Sequence, residues 1–405
     1  MAKFKYVIIG GGMTADSAVR GIREVDPQGT IALFTSETYP PYNRPPLSKK
    51  LWKGKPLDSI WRNTESLNVV MFLGRTVTGI DVKGKTITDD HGQTHTYEKL
   101  LLATGGTPRR LPFGGEAVNY FRTLDDYQRL RLWTEKGSKF AVIGGGFIGS
   151  EVAAALAMNG RQVVEVFPEE GIAARIFPAD ILEYINKYYQ DKGVQIMPKH
   201  NVTGIDTQGS TFVVHARDAN GRNIDIPADG IVAGLGIIPN TQLAEAVGIQ
   251  VQNGILVDET LKTSSPDIYA AGDVANFEDK VLQVRRRVEH EDNANMMGLT
   301  AGRNMAHTTG AGTAGAGRTD PYRYLPYFYS DMFDIGYEAV GELDARLQIV
   351  ADWEEPYKKG VLYYLKDDQV RGVLLWNVWG KVDAARELIQ RAEAVDAESL
   401  KGKIR

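Results

Sequence analysis

Two glycine-rich turns are the parts of this 405-residue sequence whose residue types and spacing could do chemistry. One turn, at residues 10–12, follows the apolar run at 6–9, and the other, at 144–146, follows the apolar run at 140–143. A helical pattern comes after each turn. Glycines between a strand and a helix let the backbone approach a pyrophosphate, which then faces the amino terminus of the helix. Each turn therefore predicts a dinucleotide site.

The glycine pattern has three defined positions in each copy. They are occupied by Gly10, Gly12 and Ala15 in the first copy and by Gly144, Gly146 and Gly149 in the second. The third position brings the helix against the strand, and the pattern permits alanine there as well as glycine. Ala15 is therefore compatible with the prediction.

An acidic residue at the end of the next strand can accept hydrogen bonds from a ribose. After the first copy the candidate is Glu37, with Ser36 as the alternative. After the second copy, a count of about 20 residues from the glycines selects Glu165, which falls inside the strand pattern. We select Glu169, which falls at the carboxyl end of the strand, where ligands bind. A carboxylate there repels a 2′-phosphate, so the sequence predicts NADH over NADPH, a preference that the nearby Arg161 and Arg175 temper.

The chain also repeats itself. Residues 77–81 recur letter for letter at 202–206, and the segment at 101–105 is similar in sequence to the segment at 231–236. Together with the two glycine turns, these landmarks follow the same order in each half. The repeat predicts two copies of one nucleotide-binding unit, each with a parallel sheet of the α/β class.

The composition excludes several function classes. A net charge of -4 gives no broad basic field for nucleic acid. The sequence has no apolar run of about 18 or more residues and no signal-peptide pattern, so we expect a soluble, cytoplasmic protein without membrane insertion. The absence of cysteine excludes disulfides, thiolate nucleophiles and cysteine-ligated metals, so redox chemistry must use a cofactor. The six histidines have no zinc-binding spacing, and we predict no metal site.

Several short motifs carry a resemblance to a known family. They are Arg-Pro-Pro-Leu-Ser-Lys at 44–49, Ala-Thr-Gly-Gly-Thr-Pro at 103–108, Phe-Pro-Glu-Glu-Gly at 167–171, Ile-Tyr-Ala-Ala-Gly-Asp at 268–273, Arg-Arg-Arg-Val-Glu-His at 285–290, Tyr-Ser-Asp at 329–331, Gly-Tyr-Glu-Ala at 336–339 and Leu-Trp-Asn at 375–377. They resemble the motifs of FAD-containing pyridine-nucleotide oxidoreductases of the ferredoxin-reductase kind. The full set is similar to the apoptosis-inducing-factor-like members of that family.

The resemblance implies a three-domain organisation. An FAD-binding domain would comprise residues 1–122 and 256–325, an NAD-binding domain would be inserted at 123–255, and a C-terminal α+β domain would comprise 326–405. Residues 308–317, which are rich in glycine, alanine and threonine, would form a flexible connection or surface loop before the last domain. The two nucleotide-binding domains would be Rossmann-like.

The resemblance also implies which residues contact each cofactor. For FAD these are Gly10, Gly12, Glu37, Arg44, Lys49, Val77, Arg122, Asp273 and His290, together with the motif residues Thr104, Gly105 and Gly272. For NADH they are Phe147, Ile148, Glu169, Arg175, Gly236, Glu289, Glu338 and Asn377. Three of these residues have an alternative interpretation without a cofactor. Arg122 would then be a surface cation, Val77 a core residue, and Asn377 a polar group whose hydrogen bonds are satisfied within the protein.

Three residues are candidates for roles in the chemistry. In the family, the positions of Lys49 and Glu151 form an ion pair beside the reactive edge of the flavin, and the alternative is a purely structural salt bridge. Phe147 directly follows the second glycine turn, where its ring either gates the flavin or packs the helix start. Tyr329 occupies a position where close relatives carry tryptophan, so stacking on a cofactor there would be weaker.

These inferences lead to one functional prediction and two alternatives. We predict an FAD-dependent NADH:acceptor oxidoreductase, in which hydride passes from NADH to FAD and electrons then reach an external acceptor. Without cysteines the acceptor must meet the flavin directly, and the candidates are a quinone, oxygen, a dye or a small iron–sulfur protein. One alternative is a ferredoxin or rubredoxin reductase component. The other is a redox-sensing module whose homodimer state changes when NADH reduces it.

Overall fold

The computed structural model describes residues 2–307 and 319–404, so the run at 308–317 that the sequence predicts to be a loop lies outside the described residues. The α-helices are α1 (Met13–Val25), α2 (Leu124–Lys136), α3 (Phe147–Met158), α4 (Ala179–Asp191), α5 (Gln242–Glu245), α6 (Glu291–His307) and α7 (Val382–Arg391). The strands are β1 (Ala2–Lys3), β2 (Tyr6–Ile9), β3 (Ile31–Thr35), β4 (Val70–Leu73), β5 (Val77–Asp81), β6 (Thr86–Asp89), β7 (Thr94–Thr96), β8 (Lys99–Leu102), β9 (Gly106–Pro108), β10 (Val118–Tyr120), β11 (Lys139–Ile143), β12 (Gln162–Val166), β13 (Val194–Met197), β14 (His200–Gln208), β15 (Thr211–Asp218), β16 (Asn223–Ala228), β17 (Gly230–Ala233), β18 (Ile237–Pro239), β19 (Ile255–Leu256), β20 (Ile268–Ala270), β21 (Ala275–Asp279), β22 (Val284–Arg286), β23 (Tyr327–Met332), β24 (Ile335–Gly341), β25 (Gln348–Glu355), β26 (Lys359–Lys366) and β27 (Gln369–Trp376).

The chain folds into two compact units. Unit 1 comprises Met1–Asn43, Asp58–Thr107 and Ile238–Pro326, and unit 2 comprises Arg44–Leu57, Pro108–Ile237 and Tyr327–Arg405. The chain therefore returns to unit 1 after the second glycine-rich copy is complete. The finer division at residues 122, 255 and 325 stays a prediction.

Unit 1 is built around a five-stranded parallel sheet in the order β20-β8-β2-β3-β4. The central strand β2 is buried at all four residues, as expected for a parallel sheet that is covered on both faces. Helices α1 and α6 approach each other closely, because a Cβ on Gly21 would lie 2.2 Å from the carbonyl oxygen of Leu299. The turn at residues 10–12 places the amino terminus of α1 (Met13) at the carboxyl end of β2 (Ile9).

Unit 2 contains a second five-stranded parallel sheet, in the order β10-β17-β11-β12-β13. In both sheets the strand before the glycine turn is central, and the strand after the first helix lies beside it, as β3 in unit 1 and β12 in unit 2. The strands β8 and β17, which contain the second pair of matched landmarks, occupy the other side. The structure therefore confirms two copies of one α/β nucleotide-binding arrangement.

The repeated pentapeptide adopts the same irregular conformation in both copies. It forms β5 in unit 1, where the pairing with β6 shifts between Val77 and Gly79. It lies within β14 in unit 2, where the pairing with β15 shifts between Val202 and Gly204. A bulge of this kind bends the strand and increases its twist. The sequence identity therefore preserves a bend at the same point of each copy.

The C-terminal part of unit 2 is an antiparallel sheet in the order β23-β24-β27-β26-β25. Its core contains the fully buried rings of Tyr337 and Trp376, which stack with their centroids 6.0 Å apart. The amphipathic helix α7 buries Ala385 and Ile389. This β-rich domain with its helix confirms the fold class predicted from the sequence. Within the described part of the chain, no helix has the length and apolar character needed to cross a membrane.

Candidate nucleotide-binding and active site

The first glycine turn, in unit 1, has no room for a side chain at Gly10 but has open space beside Gly12. Gly10 has a φ of 130°, and a Cβ there would lie 2.1 Å from the carbonyl oxygen of Ala103. At Gly12 no atom lies within 4 Å of an added Cβ. Helix α1 begins at the next residue, Met13. The free backbone amides at the start of this helix therefore border open space that suits a phosphate.

The second glycine turn, in unit 2, has the same geometry. Gly144 has a φ of 109°, and a Cβ there would lie 2.6 Å from the carbonyl oxygen of Gly234. Beside Gly146 the nearest atom to an added Cβ is 4.0 Å away, and α3 begins at Phe147. Both turns therefore fit a dinucleotide pyrophosphate, which the fold places at such helix termini.

The third position differs between the copies for a steric reason. A Cβ on Gly149 would lie only 1.9 Å from the carbonyl oxygen of Gly144, so α3 approaches its turn too closely for any side chain. In the first copy Ala15 is fully buried on α1, so that helix accommodates one methyl group. The packing of unit 1 therefore accommodates alanine at the third position of the first glycine pattern.

The candidate ribose ligands lie where the second strand of each copy ends. Glu37 is half-buried and its Oε2 accepts a 2.6 Å hydrogen bond from the hydroxyl of Tyr42, whereas Ser36 is exposed. Glu169 is half-buried and follows β12. Glu165 lies within β12 and is fully buried, so its carboxylate does not reach a ligand at the end of the strand. The structure thus leaves Glu169 as the candidate in unit 2.

The loop after Glu169 folds back onto the second glycine turn. Ala173 adopts a φ of 54°, and its backbone N–H donates a 2.7 Å hydrogen bond to the carbonyl of Gly145. Arg175 is exposed, and its carbonyl accepts a 2.9 Å hydrogen bond from the N–H of Ala345. These two bonds hold the loop that carries Glu169 and Arg175.

A buried ion pair joins Lys49 and Glu151 within unit 2. Lys49 Nζ lies 2.6 Å from Glu151 Oε2, and the two side chains are only 8% and 2% exposed. Lys49 follows the short 3-10 helix Pro45–Ser48, and Glu151 lies on α3, two residues after Gly149. The structure thus brings together the two charged residues that the resemblance pairs.

Two hydroxyl groups that the sequence analysis missed complete this cluster. Ser48 Oγ donates a 2.6 Å hydrogen bond to Glu151 Oε2, and Ser330 Oγ donates a 2.6 Å hydrogen bond to Glu151 Oε1. Both carboxylate oxygens of Glu151 therefore have donors. The sequence contains only a weak signal for this contact. The two serines lie inside the motifs at 44–49 and 329–331, and no pattern in the sequence links these motifs.

Aromatic rings surround the same helix start. The ring centroid of Tyr329 lies 5.4 Å from Lys49 Nζ, within the range of a cation–π interaction. The half-buried ring of Phe147 packs against Phe328, with their centroids 5.2 Å apart. Ile148, the second residue of α3, is 40% exposed. Phe147 therefore packs at the helix start in this conformation, while Ile148 offers apolar surface.

Glu338 and Asn377 lie in the C-terminal sheet with different hydrogen-bonding states. Burial raises the pKa of Glu338, and a hydrogen bond from the Gly380 backbone opposes this shift. Glu338 Oε2 is buried and has no hydrogen-bond partner among the described residues. The Asn377 side chain accepts a 2.8 Å hydrogen bond from Gly336 N–H and donates a 2.7 Å bond to Lys358 O. Asn377 thus joins strand ends, whereas Glu338 retains an acceptor for a ligand.

Asp273 and His290 lie in unit 1, where β20 leads into the 3-10 helix Gly272–Val274. Burial lowers the pKa of His290 to about 4, with a raising contribution from Asp273 and a lowering one from Arg286. His290 is therefore neutral at pH 7. Glu289 is exposed and lies 2.6 Å from a guanidinium nitrogen of Arg287.

The remaining predicted residues of unit 1 are held within the fold. Thr104 Oγ1 donates a 2.8 Å hydrogen bond to the carbonyl of Asn240, and Gly105 accepts a 3.0 Å bond from the Asn240 N–H. Gly272 has a φ of 77°, which favours glycine. Val77 is buried at the start of β5, so it offers a ligand little beyond its backbone.

The remaining predicted residues of unit 2 lie on irregular segments. Arg44 donates a 3.1 Å hydrogen bond to the carbonyl of Arg122. Arg122 also lines a cavity of about 200 Å³ together with Arg110 and Arg129. Gly236 is exposed, with a φ of 79°, directly before β18. The lining of this cavity also includes the carboxylates of Glu116 and Asp126, so its charge is mixed.

Comparison with known proteins agrees with this architecture. The profile of the pyridine nucleotide-disulphide oxidoreductase family matches residues 4–298, and that of the apoptosis-inducing factor, mitochondrion-associated, C-terminal domain matches residues 350–391. The chain is 33% identical to apoptosis-inducing factor 1, mitochondrial, of Dictyostelium discoideum, covering 97% of this chain and 80% of that protein. It is 34% identical to monodehydroascorbate reductase 3 of Arabidopsis thaliana, covering 92% of this chain and 89% of that protein.

This chain also superposes on solved structures of reductases. A ferredoxin reductase from Rhodopseudomonas palustris superposes with a TM-score of 0.87 at 28% identity, covering 97% of this chain and 96% of that chain. The putidaredoxin reductase of a covalent complex with putidaredoxin superposes with a TM-score of 0.88 at 28% identity, covering 99% and 96%.

Two glycine turns of one geometry, each suited to a pyrophosphate, are typical of an enzyme that uses dinucleotide cofactors, and a cysteine-free chain needs such a cofactor for redox chemistry. The chain belongs to the pyridine nucleotide-disulphide oxidoreductase family, which confirms the resemblance drawn from its motifs. It is an NAD(P)H-dependent flavoprotein oxidoreductase with FAD and NAD(P)H as cofactors, and it passes electrons to an external acceptor.

Proposed function

We propose that this chain is an NADH:acceptor oxidoreductase in which the first glycine turn holds FAD and the second holds NADH. The observation that supports the proposal best is the shared backbone geometry of the two turns, one in each unit. Bound FAD would supply the chemistry, because a flavin accepts hydride from a nicotinamide and passes electrons on singly or as a pair. Cytoplasmic location and a homodimer stay predictions of the sequence.

For FAD, unit 1 offers a phosphate cradle and polar groups. The pyrophosphate would face the amides at the start of α1 beside Gly12. Glu37, which Tyr42 orients, would accept hydrogen bonds from the adenosine ribose. Asp273 would accept hydrogen bonds from the ribityl hydroxyls, and His290, whose pKa burial lowers to about 4, would be a neutral neighbour.

For NADH, unit 2 offers the corresponding groups. The pyrophosphate would face the start of α3 beside Gly146, and Glu169 would hold the ribose hydroxyls. Ile148 would contact the nicotinamide face through its exposed apolar surface. The unpartnered Glu338 Oε2 would accept an N–H from the carboxamide, because a buried acceptor without a donor is costly.

Lys49 and Glu151 would act on the flavin when it accepts a hydride. The Lys49 ammonium would stabilise the negative charge that reduction places on the flavin, and Glu151 would fix its position. Hydride transfer itself requires no acid or base from the protein. Alignment of the two rings and exclusion of water are the tasks left to the side chains, and Phe147 would move from Phe328 to admit the nicotinamide.

For the acceptor, we propose a small electron-transfer protein. The support is the similarity to a ferredoxin reductase and to a putidaredoxin reductase that was crystallised with putidaredoxin. A second candidate is a small organic radical, because the chain is similar over most of its length to monodehydroascorbate reductase. Both acceptors would meet the flavin directly, since the chain has no cysteine relay.

One anaerobic experiment tests the function. The FAD-loaded protein is mixed with NADH, its visible flavin absorbance is followed, and then a ferredoxin, monodehydroascorbate, a quinone or air is admitted. Rapid bleaching followed by fast reoxidation with one acceptor supports the proposal and identifies that acceptor. Bleaching to a long-lived species that every acceptor oxidises slowly would contradict it and favour the redox-sensing module.

We expect Glu169→Ala to narrow the preference for NADH over NADPH by about tenfold in kcat/KM. The carboxylate would repel the 2′-phosphate of NADPH and hold the ribose of NADH, and a tenfold change corresponds to about 1.4 kcal/mol. The neighbouring Glu170 is exposed and lies 2.6 Å from Lys199 Nζ, so Glu170→Ala is the matched control. An unchanged ratio in the Glu169 variant would remove this role.

We expect Asp273→Ala to purify with most of its flavin lost. Hydrogen bonds to a charged group contribute about 1.5–3 kcal/mol, which is about tenfold or more in affinity. Flavin content per chain is measured by absorbance after release. The exposed Glu278 of the same unit provides the control Glu278→Ala, which should retain its flavin. Full occupancy in the Asp273 variant would contradict the assignment of FAD to unit 1.

A further inference from the structure

The Lys49–Glu151 pair is one part of a larger buried network in unit 2. Ser48 and Ser330 are 4% and 2% exposed, and each donates a 2.6 Å hydrogen bond to the Glu151 carboxylate. A buried carboxylate with a donor on each oxygen has little freedom to rotate. The network therefore fixes Glu151 in one orientation.

The network includes a residue of the C-terminal sheet. Ser330 lies on β23, where its register partner on β24 is the fully buried Tyr337. Because Ser330 Oγ donates to Glu151 Oε1, the strand that contains Ser330 fixes the position of one carboxylate oxygen.

We propose that Ser48 and Ser330 are positioning residues for hydride transfer, which hold Glu151 so that it places the Lys49 ammonium. This inference rests on the proposed function of the Lys49–Glu151 pair and adds the residues on which that function depends. The C-terminal sheet contributes Ser330 from its hairpin, so it takes part in organising the site. Ser48 Oγ also accepts a 3.5 Å hydrogen bond from Lys49 Nζ, whereas Ser330 acts on Lys49 only through Glu151.

The first test is Ser330→Ala, compared with Ser330→Thr, which keeps the hydroxyl. We expect the alanine variant to reduce its flavin with NADH about tenfold more slowly at saturation, with little change in KM. Its flavin reduction equilibrium should become about tenfold less favourable, which corresponds to about 30 mV for a two-electron couple. The threonine variant should recover most of both losses. Wild-type values in Ser330→Ala would overturn the proposal.

A second comparison separates positioning from stability. Tyr364 is a buried tyrosine of the same sheet, and its hydroxyl donates a 2.7 Å hydrogen bond to Ile176 O, away from Glu151. Tyr364→Phe therefore removes one buried hydrogen bond without touching the network. Ser330→Ala should shift the flavin potential and Tyr364→Phe should not. Equal shifts in both variants would mean that the effect is merely structural, and the proposal would fail.

The order of action is tested with a double variant. If Ser330 acts only through Glu151, then Glu151→Ala/Ser330→Ala should have the potential of Glu151→Ala alone. Additive shifts would overturn that order. The potentials are measured by reduction with dithionite in the presence of redox dyes, which needs no NADH. A wild-type flavin that dithionite reduces but NADH does not would refute the proposed function while leaving this test intact.

Discussion

Replacing Glu151 by alanine is expected to slow the reduction of bound flavin by NADH about a hundredfold and to destabilise the protein by about 3–5 kcal/mol. The reason is that Lys49 is 8% exposed and would keep a buried charge without its carboxylate. The hydroxyls of Ser48 and Ser330 would also lose their acceptor. Stopped-flow spectroscopy measures the rate, and thermal unfolding measures the stability.

A charge-free double variant decides between a chemical and a structural role of this pair. Lys49→Met/Glu151→Met removes both charges and keeps apolar volume, and such replacements of buried ion pairs are often neutral or stabilising. We expect the double variant to regain the stability lost through the unpaired Lys49 charge, though not the part lost with the acceptor of Ser48 and Ser330, while flavin reduction stays slow. If the rate returned together with the stability, the pair would be a structural salt bridge only.

The parts of the site that the sequence predicts are those encoded by local patterns. A glycine turn between a strand and a helix is contained within about ten residues, and both turns adopt the expected geometry at Gly10 and Gly144. The repeated pentapeptide is local in the same sense, and both of its copies form bulged strands. Such features depend on backbone sterics, which nearby residues determine.

The parts that the sequence does not predict depend on long-range contacts. Ser330 lies 179 positions from Glu151, and no periodicity connects them. The family resemblance implies that residues 256–325 return to the first domain, but the place of β20 beside β8 follows from hydrogen bonding rather than from order in the chain. Grouping of Arg44–Leu57 with unit 2 is another consequence of tertiary packing.

Glu165 shows how burial decides between two sequence candidates. Spacing from the glycines favours this residue as a ribose ligand, but its side chain points into the interior of unit 2. Neither carboxylate oxygen has a hydrogen-bond partner among the described residues, and burial raises the pKa of Glu165 to about 8. A group in this state holds a proton at neutral pH and is not available as a ligand.

Glu165→Gln is expected to remove a large part of the dependence of stability on pH. The unfolded chain releases the Glu165 proton near its ordinary pKa of 4.5, whereas the folded chain holds it up to about pH 8. The stabilisation is therefore fully present below about pH 4.5 and is lost as the pH rises towards 8. Between pH 5.5 and pH 8 this loss amounts to about 3 kcal/mol, at about 1.4 kcal/mol per pH unit.

Glutamine has a similar shape and no titrating proton, so the variant should be more stable than the wild type at pH 8, with a smaller advantage at pH 5.5. Urea unfolding at the two pH values measures the difference, and Glu170→Gln, which alters an exposed carboxylate close by in the chain, is the control. Parallel pH dependences of Glu165→Gln and wild type would show that Glu165 is already ionised in the folded protein. In that case the interior of unit 2 would have to supply the carboxylate with a donor or water, since an isolated buried charge is not tolerated.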